Sequence, residues 1–130
     1  MLARLLIDKS RADFEEAVNT VDQTLLRNDP QLGEIVQRLR TAFQPDRIYL
    51  FGSAARGEAG PDSDYDLMVV VRVADQPSYR LAQRAHSLLW GIGRATDILV
   101  WTREQFDSRL HLQASLPSTI VREGHLLYAA

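Results

Sequence analysis

One stretch of this sequence, residues 52–66, decides how the rest of the chain is interpreted. It begins with Gly52-Ser53, continues Ala-Ala-Arg-Gly-Glu-Ala-Gly-Pro-Asp-Ser, and ends with Asp64-Tyr65-Asp66. An apolar run at 48–51 precedes the stretch, and a second apolar run at 67–71 follows it directly. Short apolar runs bounded by Gly, Pro and polar residues are typical of β-strands. The stretch is therefore predicted to be a turn and loop that connect two strands.

The two aspartates at the end of the stretch are predicted to share one face of the second strand. Side chains at positions i and i+2 of a strand point the same way, so Asp64 and Asp66 project together and Tyr65 turns to the other face. Neighbouring carboxylates repel each other unless a cation lies between them. Beside a Gly-Ser turn, this arrangement indicates a site for Mg²⁺ and a nucleoside triphosphate.

A third carboxylate, Asp97, lies near the start of another predicted strand, 96–101. A shared sheet face would bring it beside the other two. Mg²⁺ takes oxygen ligands, and two such ions about 3.5–4 Å apart can assist both the attacking and the leaving oxygen at phosphorus. We expect Asp64 and Asp66 to bridge two metal ions. Asp97 would complete the shell of the catalytic ion or accept a proton from the attacking hydroxyl.

Three residues near the turn are candidates for nucleotide binding. Gly52 leaves room for the backbone to approach a phosphate, and the Ser53 hydroxyl and nearby backbone N–H groups can donate to phosphate oxygens. Arg56 could add a forked, permanently charged contact. Plainer alternatives stay open: a solvated turn or calcium loop for Asp-x-Asp, an N-cap for Ser53, and a solvated loop position for Arg56. A Walker-type phosphate loop is excluded, because the sequence has no Gly-Lys-Ser/Thr triplet.

The composition is that of an ordinary globular domain and limits the function classes. The chain has 130 residues, of which 45% are hydrophobic and 25% charged, enough for one domain with one core. A net charge of −2 does not indicate a broadly basic nucleic-acid-binding surface, so direct nucleic-acid binding is not expected. The absence of cysteine excludes disulfides and cysteine-based zinc sites or nucleophiles. We expect a cytoplasmic protein, because neither a secretory signal nor a membrane-spanning apolar run is present.

Helical spacing of apolar residues accounts for most of the remaining chain. Two N-terminal helices are predicted within residues 10–43, the second opened by Asp29 as N-cap and Pro30 in its first turn. The first helix rests on the apolar positions Phe14, Val18, Val21 and Leu25. Later helices are predicted after Pro77, at a capping box in 102–105 and over 117–123, and residues 126–128 form either an edge strand or a tail.

These elements predict an α/β fold, a small mixed β-sheet packed with helices, in a single domain covering residues 1–130. N-terminal helices would occupy 10–43, a catalytic core about 45–101, and a helical tail 102–130. The histidines His86, His111 and His125 lack metal-ligand spacing, so structural roles are expected for them.

At these residues the chain resembles the nucleotidyltransferase superfamily that shares the palm fold of DNA polymerase β, and most of all its minimal (MNT) branch. The matching pattern is Gly-Ser, ten residues, then Asp-x-Asp, here Gly52-Ser53 and Asp64-x-Asp66, with Arg56-Gly57, Ser63 and Asp97 at the family's other positions. The resemblance covers about residues 45–101. It implies catalytic and metal-binding roles for Asp64, Asp66 and Asp97, and nucleotide-binding roles for Gly52, Ser53 and Arg56.

The resemblance also implies a reaction and a partner. Members transfer a nucleoside monophosphate from a nucleoside triphosphate to a hydroxyl and release pyrophosphate; here AMP from ATP is expected. Minimal members commonly act as antitoxins of HEPN-type toxins, and some adenylylate a tyrosine of the toxin. Two alternatives remain: an antitoxin that neutralises its toxin by binding alone, and a small-molecule (antibiotic) adenylyltransferase, which usually carries an extra substrate domain. A homodimer and a hetero-oligomer are both compatible with the amphipathic helices.

Overall fold

The helices and strands of the computed structural model follow the predicted alternation. The structure describes residues 21–58 and 64–130. In chain order the elements are α1 (Gln23–Asn28), α2 (Pro30–Phe43), β1 (Arg47–Phe51), α3 (Gly52–Ala55), β2 (Tyr65–Val71), α4 (Ser78–Leu88), β3 (Thr96–Thr102), α5 (Arg103–Asp107), α6 (Leu116–Glu123) and β4 (His125–Ala129).

A mixed four-stranded sheet with the order β3-β2-β1-β4 forms the centre of the fold. β1 runs antiparallel to both β2 and β4, whereas β2 and β3 are parallel. In this register Asp66 lies opposite Phe51, the last residue of β1, and also opposite Asp97 of β3. The Gly-Ser turn and the strand-borne aspartates therefore meet at one end of the sheet. The predicted α/β class with a small mixed sheet is confirmed.

The helices cover the two faces of the sheet with two separate apolar clusters. One face packs against α2 and α4, and its core includes Leu32, Ile35, Leu39, Ile48, Leu50, Leu67, Val69, Leu81, Ala85, Ile98 and Val100. The other face packs against α5 and α6 through a smaller cluster of Tyr49, Met68, Val70, Phe106, Ile120 and Leu126. Asp66 precedes Met68 by two residues and Asp97 precedes Leu99 by two, so both carboxylates lie on the second face.

Local hydrogen bonds confirm the predicted helix starts. Asp29 caps α2 by accepting from the Leu32 N–H at 3.2 Å, and Pro30 occupies the first turn. Thr102 and Gln105 form the reciprocal capping box that opens α5. Each of these signals acts within four residues, which explains why the sequence pattern could predict them.

The predicted first helix is confirmed at Gln23–Asn28 but is wrong at Val21, and its earlier part lies outside the described residues. Val21 pairs with Leu126 of β4 in a parallel bridge instead of continuing a helix. Asp22 then starts α1 by accepting from the Leu25 N–H at 3.0 Å. The pairing with a strand from the other end of the chain overrides the local apolar spacing. Residues 126–128, left open between strand and tail, belong to the edge strand β4.

Candidate active site

Asp66 stands at the centre of the predicted carboxylate group. It is half-buried at the start of β2, with Asp97 directly opposite on β3 and Asp64 two residues earlier on the chain. Asp64 and Asp97 are both exposed. The parallel pairing of β2 and β3 therefore places the three predicted carboxylates at the same end of adjacent strands.

Among the described residues the negative charge of this group is only weakly compensated. Burial raises the pKa of the Asp66 carboxyl above its usual value, and the nearby charges of Asp97 and Asp64 raise it further. The Arg56 guanidinium acts in the opposite direction but is the weakest influence. A carboxylate with like charges nearby is stabilised either by taking up a proton or by binding a cation.

The carboxylates form an open group rather than a closed cage. Within 21–58 and 64–130, no three His, Asp or Glu side chains are placed to hold a metal ion by themselves. Asp97 and Asp64 nevertheless both lie near enough to Asp66 to raise the pKa of its carboxyl. Mg²⁺ is commonly held by only one or two carboxylates, completed by substrate phosphates and water. The residues present therefore fit Mg²⁺ brought in with a nucleotide.

Gly52 lies directly against Asp66 in a backbone conformation that favours glycine. Its φ is +75°, and a Cβ built on its backbone would lie 2.3 Å from Asp66 Oδ2. Left-handed backbone and the absence of space each favour glycine at this position. The sequence predicted that the space beside Gly52 would admit a phosphate, but the Asp66 carboxylate occupies it. A phosphate contact by Gly52 stays a prediction.

Ser53 and Arg56 lie at the two ends of the single-turn helix α3. The N-cap of α3 is Phe51, so the alternative that Ser53 serves as the N-cap is wrong. Arg56 follows the helix, is exposed, and pairs with Glu58 at 3.1 Å. An exposed pair of this kind is worth at most about 1 kcal/mol, so Arg56 can exchange its partner for a phosphate at little cost.

Sequence reasoning missed how Tyr65 is held on the reverse face of the Asp-x-Asp segment. Tyr65 is 3% exposed, and its hydroxyl donates to the Asp29 carboxylate. The Arg94 guanidinium lies 4.3 Å from the centre of its ring. Asp29 and Arg94 are both distant from Tyr65 in sequence, so no local spacing could have revealed the arrangement.

A second missed contact lies behind the Gly-Ser helix. One ring nitrogen of His125, Nε2, is 2.8 Å from the carbonyl oxygen of Ala55, the last residue of α3. The other, Nδ1, is 3.0 Å from Asp22 Oδ2. The expected structural role of His125 is thereby given a definite form: it joins α3 to the start of α1.

Comparison with known proteins agrees with this geometry. The sequence profile of the family described as "Nucleotidyltransferase domain" matches residues 32–126. No curated protein matches the chain in sequence. One similar solved structure, from Sulfolobus solfataricus and provisionally described as a nucleotidyltransferase, is 20% identical, covers 77% of this chain and 78% of its own, and has a TM-score of 0.55. That likeness concerns the fold alone.

A second solved structure is that of a toxin-antitoxin with AMP-PNP. Its matching chain is 26% identical, with 75% of this chain and 73% of that one covered, and the TM-score is 0.50. The family profile spans both halves of the Gly-Ser and Asp-x-Asp motif together with Asp97 and most of the sheet around them. This chain therefore belongs to the nucleotidyltransferase domain family.

Proposed function

We propose that this protein is a Mg²⁺-dependent nucleotidyltransferase that moves AMP from ATP to a hydroxyl of a partner protein and acts as the antitoxin of a HEPN-type toxin. The observation that carries the proposal is the approach of Gly52 to Asp66 opposite Asp97. It supports a single site formed by the Gly-Ser turn and the carboxylates. The likeness to a toxin-antitoxin structure with AMP-PNP supports the toxin partner and the adenine nucleotide.

The chain's own residues would divide the work by their positions. Asp66 at the start of β2 and Asp64 just before that strand would present carboxylate oxygens, where Mg²⁺ would neutralise their charge and polarise the phosphate. Asp97, exposed opposite Asp66, would complete the metal site or take the proton of the attacking hydroxyl. The balanced reaction forms a phosphorus–oxygen bond to the acceptor and breaks the bond between the α-phosphorus and the bridging oxygen, which leaves with pyrophosphate.

The phosphate side of the site would be formed by α3 and the residue after it. Among the described residues no side chain caps the start of α3, and its first N–H groups, together with the Ser53 hydroxyl, would donate to phosphate oxygens. Arg56 would leave Glu58 and add its guanidinium to the developing negative charge.

The test is label transfer from α-³²P-ATP with Mg²⁺, using the purified protein and the protein encoded next to it. Label is expected on the partner with the wild type and with Asp75→Asn, an exposed control beyond the opposite end of β2. No label is expected with Asp66→Asn. Wild-type labelling by Asp66→Asn would overturn the assignment of the site.

Two other results would select the alternatives. A stable complex that inhibits the toxin, with no label from any of the four nucleotides, would indicate an antitoxin acting by occlusion. Neutralisation by an Asp64→Ala, Asp66→Ala double variant would point the same way. Label that appears on an added aminoglycoside and not on protein would indicate a small-molecule adenylyltransferase.

A further inference from the structure

The short helix α1 carries an aspartate at each end, and each aspartate makes two connections. Asp22 caps α1 with Oδ1, which accepts from the Leu25 N–H at 3.0 Å, and its Oδ2 faces His125 at 3.0 Å. Asp29 caps the next helix, α2, with Oδ1 at 3.2 Å, and its Oδ2 accepts from the Tyr65 hydroxyl. In both cases one oxygen satisfies a helix end and the other reaches toward the active site.

The Asp22 connection leads to the Gly-Ser half of the motif. His125 Nε2 lies 2.8 Å from the carbonyl oxygen of Ala55, so the imidazole links Asp22 to the last residue of α3. The Asp22 N–H also donates to the Leu126 carbonyl at 2.8 Å, so this end of α1 is fastened to β4 beside His125. A side chain outside the motif thus contacts the last residue of α3.

The Asp29 connection leads to the carboxylate half. Tyr65 lies between Asp64 and Asp66, and its N–H donates to the Ala95 carbonyl at 3.1 Å. Arg94, stacked on the Tyr65 ring, belongs to the segment that enters β3 and Asp97. Tyr65 therefore ties the start of β2 both to the end of α1 and to the start of β3.

We propose that α1 is a brace that fixes α3 relative to the Asp-x-Asp strand and so sets the affinity for the metal–nucleotide complex. Asp22 and Asp29 are its positioning residues, and they act through His125 and Tyr65. This inference rests on the proposed function. A small shift of α3 would alter the site, because the backbone at Gly52 approaches Asp66 without room for one methyl group. Sites of this kind need supporting contacts that hold the geometry within about 0.5 Å.

The first test removes one hydroxyl at each end of the sheet. Tyr65→Phe keeps the ring beneath Arg94 and loses only the bond to Asp29. Tyr49→Phe is the matched control, because Tyr49 is 2% exposed on the neighbouring strand and its hydroxyl accepts from Arg47 at 3.3 Å, away from the site. The two variants are expected to lose similar stability.

The second test changes one carboxylate oxygen. Asp22→Asn keeps the Oδ1 cap, since Asn caps helices as well as Asp does, but turns a donor toward His125. Asp107→Asn is its control: that carboxylate is also half-exposed and pairs with Arg47 at 2.7 Å at the opposite end of the sheet.

Two readouts separate positioning from simple stability. Titration calorimetry with Mg²⁺ and α,β-methylene ATP, whose bridging carbon prevents transfer, is expected to show about tenfold weaker binding in Tyr65→Phe and Asp22→Asn, the scale of lost supporting contacts. Hydrogen exchange is expected to quicken at the Arg56 and Glu58 amides, which bond to carbonyls of α3, in both variants. Neither readout should change in the controls.

The effect of the Tyr65→Phe change on α3 and on analogue binding tests whether the two halves of the site are linked. A Tyr65→Phe variant that leaves exchange at α3 and analogue binding at wild-type values would overturn the brace, and so would controls that weaken binding equally. If wild-type protein binds no analogue while exchange changes as expected, the proposed function fails and the mechanical link through α1 stands. A double variant no weaker than the poorer single variant would support one shared brace.

Discussion

The two ends of the central strands carry aspartates in opposite electrostatic situations. At the end where β1 begins, Asp46 binds Arg103 through both carboxylate oxygens, at 2.6 and 3.1 Å, and Asp107 pairs with Arg47 at 2.7 Å. At the other end Asp66 has two carboxylates as neighbours, and the nearby Arg56 is paired with Glu58. The first end stabilises the fold by matched charge, whereas the second retains charge that a bound cation can match.

The pKa directions express the same contrast. Hydrogen bonding and charge from Arg103 hold the pKa of the Asp46 carboxyl below its ordinary value of 3.8, against the effect of burial. Its contribution to stability is therefore present above 3.8 and is lost as the pH falls through the lower folded value. Asp66 has the opposite sign: its folded pKa lies above 3.8, so ionised Asp66 opposes folding at neutral pH and the penalty disappears below 3.8.

The largest expected effect is that of Asp66→Asn on transfer. Loss of the central carboxylate should lower the rate by more than about 100-fold, beyond the range seen for merely supporting partners. The same change removes like-charge repulsion, so the free energy of unfolding at neutral pH should stay equal or rise. Label transfer and chemical denaturation, measured on one preparation, check both halves. A variant that is inactive because it is unfolded would contradict the prediction.

Gly52→Ala is expected to damage the site more than its backbone strain explains. A left-handed backbone costs an alanine about 1–2 kcal/mol, and here the added methyl also meets Asp66 Oδ2. Gly91→Ala is the control, because Gly91 has φ of +88° and nothing within 4 Å of a built Cβ. Both variants should lose stability in denaturation, but only Gly52→Ala should lose transfer activity. Equal activity in the two would show that the approach to Asp66 is unimportant.

Asp107→Ala tests the paired end. Arg47 is only 8% exposed, and removal of Asp107 leaves its guanidinium with the Tyr49 hydroxyl at 3.3 Å and, among the charged groups of the described residues, with Asp46 at 3.5 Å. Loss of a hydrogen bond to a buried charged group should cost about 1.5–3 kcal/mol of unfolding free energy. Activity at a temperature where the variant is folded should match the wild type, because this pair lies at the opposite end of the strands. A fall in transfer without a fall in stability would break the division between the two ends.

Part of this site could be predicted from the sequence because it depends on spacing alone. The two-residue period of a strand predicts that Asp64 and Asp66 project together, and a second strand that starts at Thr96 supplies Asp97 as the third carboxylate. Two features favour glycine at position 52: its positive φ angle and its close approach to the Asp66 carboxylate. No sequence pattern encodes either of them. The same holds for Tyr65 with Asp29 and for His125 with Asp22, whose partners come together only after the sheet has formed.

The smallest effect gives the cleanest test of the sign difference. Asp46→Asn should destabilise the fold by about 1 kcal/mol at neutral pH, the upper range for a partly exposed pair with good geometry. That loss should shrink as the pH falls through the lowered pKa of Asp46, because the wild-type carboxylate then loses its charge as well. Asp66→Asn should give a difference of the opposite sign that also vanishes in acid. The unfolding free energies of both variants are measured from neutral pH to below 3.8. The value for Asp46→Asn should approach that of the wild type from below and the value for Asp66→Asn from above. An approach from the same direction would refute the contrast between the two ends.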